Sequence, residues 1–373
     1  MIRNLTGFPC QRYRKLCGDG KVHELVVVRA TFALPRHGEV AEPAERQHPL
    51  QTGDRLIGKD PDCPMRAVVH RAGELIPPKP GADILIHGHA HSEQGRPRRD
   101  WLAGIRVGQC EHLLQVSGPR QFERRWGGWR LSEAQAVETV ALDYRLAFGG
   151  CFLGHPAPEL PPRYVYKADN PAGCGWLPDR RAFKGVERTV RRAIDAHIGQ
   201  LRHLPAPRIH HPKRPIRTPY DRLPTEGFGP MARWCEPRIG YAGTFDERWR
   251  TQRHPLLPED YDPRNEHCAH PSLIHATPLR GNEWLATVGL LPEGPLGFYL
   301  PGIRVVARGE HDDGTHTTQA LSLDTLAVDL DTRTLGLTWR GCFEAGAPLR
   351  EAKLLAVSQA PAADARPHGR AAS

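Results

Sequence analysis

The stretch VHELVVVRATFAL, residues 22–34, decides the fold class. β-Branched and apolar residues crowd it, which suits a pleated, half-buried surface. Val26, Val28, Ala30 and Phe32 fall on one face at a period of two, while Glu24, Arg29 and Thr31 supply polar alternation or an edge. Around it the chain of 373 residues carries 37 Gly and 36 Pro, about a fifth of the whole. That density interrupts long helices and favours short strands joined by loops. The expected fold is mainly β: β-sandwich-like antiparallel sheets with long Pro/Gly-rich loops and one prominent helix.

Working outward, Gly38 punctuates a hairpin into EVAE, residues 39–42. Within KPGADILIHGHAH, residues 79–91, the next strand spans 81–91, with Ile84, Leu85 and Ile86 at its centre. Residues 103–107 and 111–117 form a hairpin split by Gly108-Gln-Cys, and another falls at 121–131 around Gly127-Gly128. Residues 140–148 read as a strand ending at Gly149-Gly150, and 151–180 as a long Pro/Gly-rich loop. The helix spans 182–201, where Val186, Val190, Ile194 and Ile198 recur at helical spacing before Pro205 and Pro207. Residues 205–280 show little periodicity. Strand patterns resume at 284–291 and 296–308, and 324–343 reads as a hairpin turning at Asp331-Thr-Arg-Thr. The expected organisation is one β-rich domain over 1–350, or two subdomains, 1–150 and 205–350, joined by 151–204; residues 356–373 read as a disordered tail.

The net charge is +9, and the basic residues are mostly Arg, densest at RPRRD (96–100) and RRAFKGVERTVRR (180–192). A basic surface suits nucleic acid, a membrane or an acidic protein. The dispersal here fits solvated faces better, so nucleic acid is disfavoured as a partner. Nine cysteines, an odd number without a CxxC pair, argue against a disulfide framework or a Cys-rich zinc module and suit a reducing compartment. The start, MIRNLTGFPCQRYRK, does not read as a signal peptide, and no apolar run approaches the roughly 20 residues that cross a bilayer. A soluble cytoplasmic protein without a membrane partner is expected.

Two clusters carry candidate chemistry. On an unbroken strand His87, His89 and His91 point the same way, about 7 Å apart at successive steps, and H-x-H on a β-scaffold is a zinc pattern. The competing reading is a strand end with polar residues facing water. The second cluster is PEDYDPRNEHCAHP, residues 258–271, with Glu259, Asp260, Asp262, Glu266, His267 and His270. It has neither EF-hand nor HExxH spacing, and a capped turn explains its carboxylates. A metal-dependent hydrolase or toxin built on His87/His89/His91 or Asp260/His267/His270 is the enzyme alternative. Cys174, in a glycine loop, reads as an incidental thiol rather than a nucleophile. No G-x-S-x-G elbow or phosphate loop occurs. On the residues alone neither a cofactor nor a metal is expected, and the reading is a binding or scaffold protein.

Several motifs recur in a fixed order. VVVRATFAL is followed by a Lys-Pro-x-x-Asp-(apolar)₃-x-Gly-x-Ala pattern at Lys79, Pro80, Asp83, Gly88 and Ala90. IRVG (105–108) and LQVSGPR (114–120) come next, then YRLAFGG with Phe148, Gly149 and Gly150, and DNPAGCGW with Asn170, Pro171, Gly173 and Gly175. GFGPMARWCEPR holds Gly227, Gly229 and Pro230; AGTFDERWRTQRHPLLPEDYD holds Gly243, Thr244, Asp246, Trp249, Arg253, Pro258, Asp260 and Asp262. LPEGPLGFYLP (291–301) and a closing hairpin with Trp339 and Arg340 complete the set. Together, over roughly residues 1–343, they resemble the bacterial family called domain of unknown function 2169. The resemblance implies that Asp83, Gly88 and Ala90, not the three histidines, carry the 79–91 motif, with Gly88 and Ala90 marking close packing. It also implies that Asp246, Trp249, Arg253 and Asp260 tie loops together through buried Arg–carboxylate bonds. In function it implies an accessory factor of the type VI secretion system: a non-enzymatic adaptor or chaperone whose partners are an effector toxin and the VgrG or PAAR spike proteins. The 182–201 helix departs from the family pattern, and two readings stand for it: an insertion that sets partner specificity, or a helix packed on the sheet.

Overall fold

The computed structural model describes residues 1–17, 19–157, 159–343 and 348–359. In chain order the long strands are β1 (Cys10–Leu16), β2 (Val22–Ala33), β3 (Ala82–His87), β4 (Asp100–Val107), β5 (Cys110–Ser117), β6 (Trp284–Val288), β7 (Leu296–Tyr299), β8 (Ile303–His311), β9 (His316–Ala320), β10 (Ser322–Asp329), β11 (Thr334–Phe343) and β12 (Leu349–Ser358). The main helix is α1 (Arg188–Gln200). The chain is mainly β, as the strand patterning predicts.

Three sheets organise it. The first runs Ile274–His275, β3, β10, β11, β2, β1; the second runs Ile209–His210, β5, β4, β6, β7; the third runs Ile2–Asn4, β12, β8, β9. Most pairings are antiparallel, and β3 joins β10 in parallel. Both larger sheets take strands from residues 1–150 and from 205–350. The β4–β5 hairpin closes at Val107↔Cys110, the Gly127 hairpin at Arg125↔Gly128 and the β10–β11 hairpin at Asp329↔Thr334.

The face chosen from sequence is the core face. Val26, Val28, Ala30 and Phe32 are 0% exposed, and Trp339 and Leu337 of β11 sit opposite Val28 and Ala30. Ile84, Ile105, Leu114, Leu285, Phe298, Val305 and Leu354 belong to the same cluster, so all three sheets share one core. Burial of each such side chain contributes about 1.5–3 kcal/mol, and this cluster holds the sheets together. The opposite face of β2 is not solvated. Val27 and Thr31 are buried, and the chain over 44–79 covers them, with Gln47 bonding both the N–H and the C=O of Thr31.

Local chemistry overrides the pattern at four places. Residues 140–148 are not one strand: Thr139–Ala141 pairs with His89–His91, and Asp143 then accepts from Arg145 N at 2.8 Å and caps a short helix, Tyr144–Leu146. The helix begins at Arg188, not 182, because Asp179 accepts from the N–H groups of Arg181 and Ala182 to form a turn, and Gly185 holds φ +76°. The Gly38 hairpin shrinks to the single antiparallel bridge Phe32↔Pro43, since Pro43 has no N–H to extend a ladder. Ala356–Ser358 are strand rather than tail, paired with β8 from Ile303; residues 360–373 of the expected tail lie outside the described residues.

α1 buries Val190, Ile194 and Ile198 against Val165, Leu177 and Phe183, a small cluster of its own beside the ribbon of Cys151–Gly154 and Arg163–Tyr166. In that ribbon the Cys151 sulfur lies 2.8 Å from that of Cys63, a contact their sequence positions did not announce.

Candidate functional site

The motif residues nearest the strand centres form a buried ionic brace on the first sheet. Lys79, 2% exposed in its side chain, places Nζ 2.7 Å from Asp83 and 2.8 Å from Thr325 Oγ1. Asp83, fully buried on β3, also accepts from Cys268 N at 2.8 Å, and its Oδ1 lies 2.6 Å from His267 Nδ1. A bulge in β10 between Leu323 and Thr325 gives Asp324 an extra position, from which it pairs with Arg340 and accepts from Lys79 N. Arg340 also donates to Glu74 O at 2.9 Å, and the Glu74 carboxylate takes Thr338 Oγ1 at 2.7 Å and Arg29 at 3.0 Å. Three cations, Arg29, Lys79 and Arg340, thus meet three anions, Glu74, Asp83 and Asp324.

Burial pushes the Asp83 carboxyl upward, but the Lys79 charge and the hydrogen bond from His267 outweigh it and hold it well below the usual carboxylate range. Burial likewise opposes the Arg340 charge, and Asp324 and Glu74 more than restore it. Trp339, one residue before Arg340, points to the other face and into the core.

The remaining motif residues set loops. Gly88 has φ +99°, and a Cβ there would meet Asp331 Oδ1 at 2.6 Å; Ala90 is fully buried, so both mark close approach as expected. Asn170 donates to Tyr144 O at 2.8 Å and to Phe148 O, and a Cβ on Gly149 or Gly173 would strike the Asn170 region. This locks DNPAGCGW onto YRLAFGG, with Phe148, Gly150 and Pro171 buried and Gly175 fitted against Pro207. Gly229 and Pro230 are buried, Pro80 is exposed, and Gly227 lies against the Tyr144 ring.

The expected buried Arg–carboxylate ties at 246–260 are absent. Asp246 caps the helix Glu247–Gln252 by accepting from Trp249 N at 2.8 Å. Asp260 accepts from Thr244 N and Oγ1 at 2.9 and 2.7 Å, where Gly243 packs on Pro258. Asp262 caps the next turn, as a capped-turn reading expects. Arg253 reaches the carbonyl of Leu257 and comes within 3.8 Å of exposed Glu259. Short carboxylates at turn starts take backbone N–H groups first, which leaves none for a distant Arg.

Neither candidate histidine cluster comes together as a ligand set. Positive φ at Gly88 ends β3, so the alternation from His87 to His89 breaks. His87 is buried near His70, and burial lowers its pKa to about 3. His89 is half exposed, 3.1 Å from Asp331, and His91 lies in the short pairing with Thr139–Ala141. In the second cluster, Asp260 serves Thr244, His267 serves Asp83, and His270 joins a different group. Burial pushes the Cys174 thiol up to about 12, which makes it a poor nucleophile.

That different group is the metal-capable set among the described residues: His112, Glu226 and His270, whose ligand atoms lie within 4.8 Å of one another. His112 takes an inward position of β5, in the same row as Cys110, Leu114 and Val116. Glu226 is held by its neighbours: Thr225 Oγ1 donates to Phe148 O at 2.9 Å, and Gly227 fits under Tyr144. His270 caps the turn Pro271–Leu273 through Nδ1, which turns Nε2 toward Glu226. His112 Nε2 and His270 Nε2 lie 3.3 and 3.5 Å from Glu226 Oε2, and the two imidazoles stack at 4.2 Å. Although close, buried His112 Nε2 and Glu226 Oε2 have no hydrogen-bond partner among the described residues.

Burial raises the Glu226 carboxyl to about 7 and lowers His112 to about 3 and His270 to about 4. The group floors a pocket of about 510 Å³, also lined by His211, Lys213 and Arg214. Sequence reasoning reached His270 but missed His112 and Glu226. They stand more than a hundred residues apart, and no local spacing joins them.

Fold and site together define a multi-sheet β protein whose signature residues form an internal ionic brace and loop locks, with a buried His–Glu–His group beside them. The chain belongs to the bacterial family described as "Uncharacterized protein conserved in bacteria (DUF2169)", whose model matches residues 19–340. No curated protein and no solved structure matches the chain. No helix among the described residues is long and apolar enough to cross a membrane.

Proposed function

We propose that the protein is a cytoplasmic, non-enzymatic adaptor of a type VI secretion system, which binds a toxic effector and helps load it onto the VgrG/PAAR spike. One observation carries the reading. The residues that bear the family signature are spent on framework: Lys79, Asp83 and Arg340 inside the brace, Asn170 and Gly149 in a loop lock, Asp246 and Asp262 in caps, and Asp260 in a loop tie to Thr244. A signature of that kind specifies a shape that presents surfaces, as a carrier requires.

An open sheet edge supplies a docking mode. β9 ends the third sheet and is largely exposed. His311 N donates to Thr315 O and Leu321 N to Val305 O, so the inward-bonding positions of β9 are Thr317 and Gln319. The N–H and C=O of Thr318 therefore face away from β8, free to pair with an extended effector segment.

The test is binding of the purified chain to the effector and spike protein encoded with it, by co-expression and calorimetry, with Thr318→Pro beside the wild type. Proline there removes an outward N–H and leaves the inner ladder whole. A complex with the wild type, weakened at least about tenfold by Thr318→Pro, supports adaptor and edge together. Absence of any complex with effector or spike overturns the adaptor; a complex indifferent to Thr318→Pro overturns only the edge.

A further inference from the structure

We infer that His112, Glu226 and His270 form a binding site for one divalent transition metal of the zinc class. Among the described residues, His112 Nε2 and Glu226 Oε2 are buried without a hydrogen-bond partner, in side chains only 5% and 6% exposed. A buried polar atom left unpaired costs about 1–3 kcal/mol, and here two converge at one point. His270 supplies a third ligand atom, and all three lie within 4.8 Å of one another. A cation satisfies such a set.

The spacing fits one. Metal bonds of about 2.0–2.1 Å in a tetrahedron put neighbouring donor atoms roughly 3.3–3.4 Å apart. The two nitrogen-to-carboxylate distances are 3.3 and 3.5 Å. Two imidazoles and one carboxylate form the donor set of an open zinc site, whereas calcium and magnesium take oxygen ligands. The fourth position is left to a water or small anion from the pocket, whose mouth also carries His211, Lys213 and Arg214.

The stacked rings lie 18° from parallel, so their lone pairs do not yet converge. Loading turns one ring out of the stack. His270 sits on a short loop turn, while His112 is fixed in β5, so His270 is the ring that turns. The bound ion then ties the 224–227 loop and the 270–273 turn to the second sheet. The site stands apart from the adaptor reading: it neither needs an effector nor excludes one.

The experiment uses the full chain, stripped with chelator and dialysed free of metal, then titrated with Zn²⁺ by calorimetry and with Co²⁺ by visible spectroscopy. The expected result is one ion per chain, visible bands of four-coordinate cobalt, and a displaced His270 ring resonance. Glu226→Gln and His270→Gln, which keep side-chain bulk, lower affinity at least about tenfold while circular dichroism shows them folded. His89→Ala with His91→Ala leaves binding unchanged. Substoichiometric binding, or binding that survives Glu226→Gln and His270→Gln, overturns the assignment.

Discussion

Replacing Lys79 with Met tests whether the brace is a structural element or merely charge inside a protein. The methionine keeps most of the length and apolar stem and removes only the ammonium. Asp83 stays behind, 0% exposed, with Cys268 N, the Cys268 thiol and His267 as its remaining partners. Removing one partner of a buried pair and leaving the other charged costs about 3–5 kcal/mol. The Asp324 side accepts from Lys79 N, a backbone group, so that bond survives the substitution. The Thr325 hydroxyl keeps Asp324 and Arg340 as partners, so the expected loss is the penalty at Asp83, not collapse of the Arg340 half.

Equilibrium unfolding in urea, followed by tryptophan fluorescence and far-UV circular dichroism, reads this out, with coincident curves checking that one transition is observed. Lys79→Met with Asp83→Asn removes both charges, and the pair is expected to recover part of the loss, with a coupling of about 1–3 kcal/mol. The pH dependence follows from the depressed Asp83 carboxyl. Its stabilising contribution is present above the unfolded carboxylate value, near pH 4, and is lost as pH falls toward the lower folded value. Lys79→Met raises the folded Asp83 value toward the unfolded one and so shrinks that acid-dependent loss, and Asp83→Asn abolishes it. A Lys79→Met variant that loses less than about 1 kcal/mol, or a double variant that is simply additive, refutes the reasoning.

Gly88→Ala is expected to cost about 1–3 kcal/mol, because φ is +99° and the new Cβ meets Asp331 2.6 Å away; a neutral urea midpoint would show that the Asp331 turn yields freely. Ile194→Ala opens a cavity worth about 2–5 kcal/mol in the small cluster under α1. Hydrogen exchange should quicken in 151–201 and stay slow in the first sheet; uniform quickening would show that this cluster and the main core unfold as one. Asp246→Ala removes a helix cap and should lower stability by about 1 kcal/mol, while Asp246→Asn, which keeps an accepting oxygen, should be nearly silent.

Much of the fold was legible because its signals are local. The alternation in 22–34 selected the face that became the core, and two-residue turns closed the hairpins at Val107↔Cys110 and Arg125↔Gly128, within reach of their own sequence. The family signature was legible too, as a run of motifs in order. The sequence by itself therefore determined a β-rich chain, its core strand and its turn positions, since side-chain alternation and turn chemistry act over a few residues. What the tertiary structure decided lies where distant segments meet. Burial of the polar face of β2 depends on Glu74 and Gln47 arriving from elsewhere, and the pairing of Arg340 depends on a bulge that lifts Asp324 into place. One positive φ at Gly88 dissolved the HGHAH ligand set, while folding brought His112, Glu226 and His270 to one point from three unrelated stretches. Sequence spacing measures distance along the chain, and a ligand set is defined by distance in space.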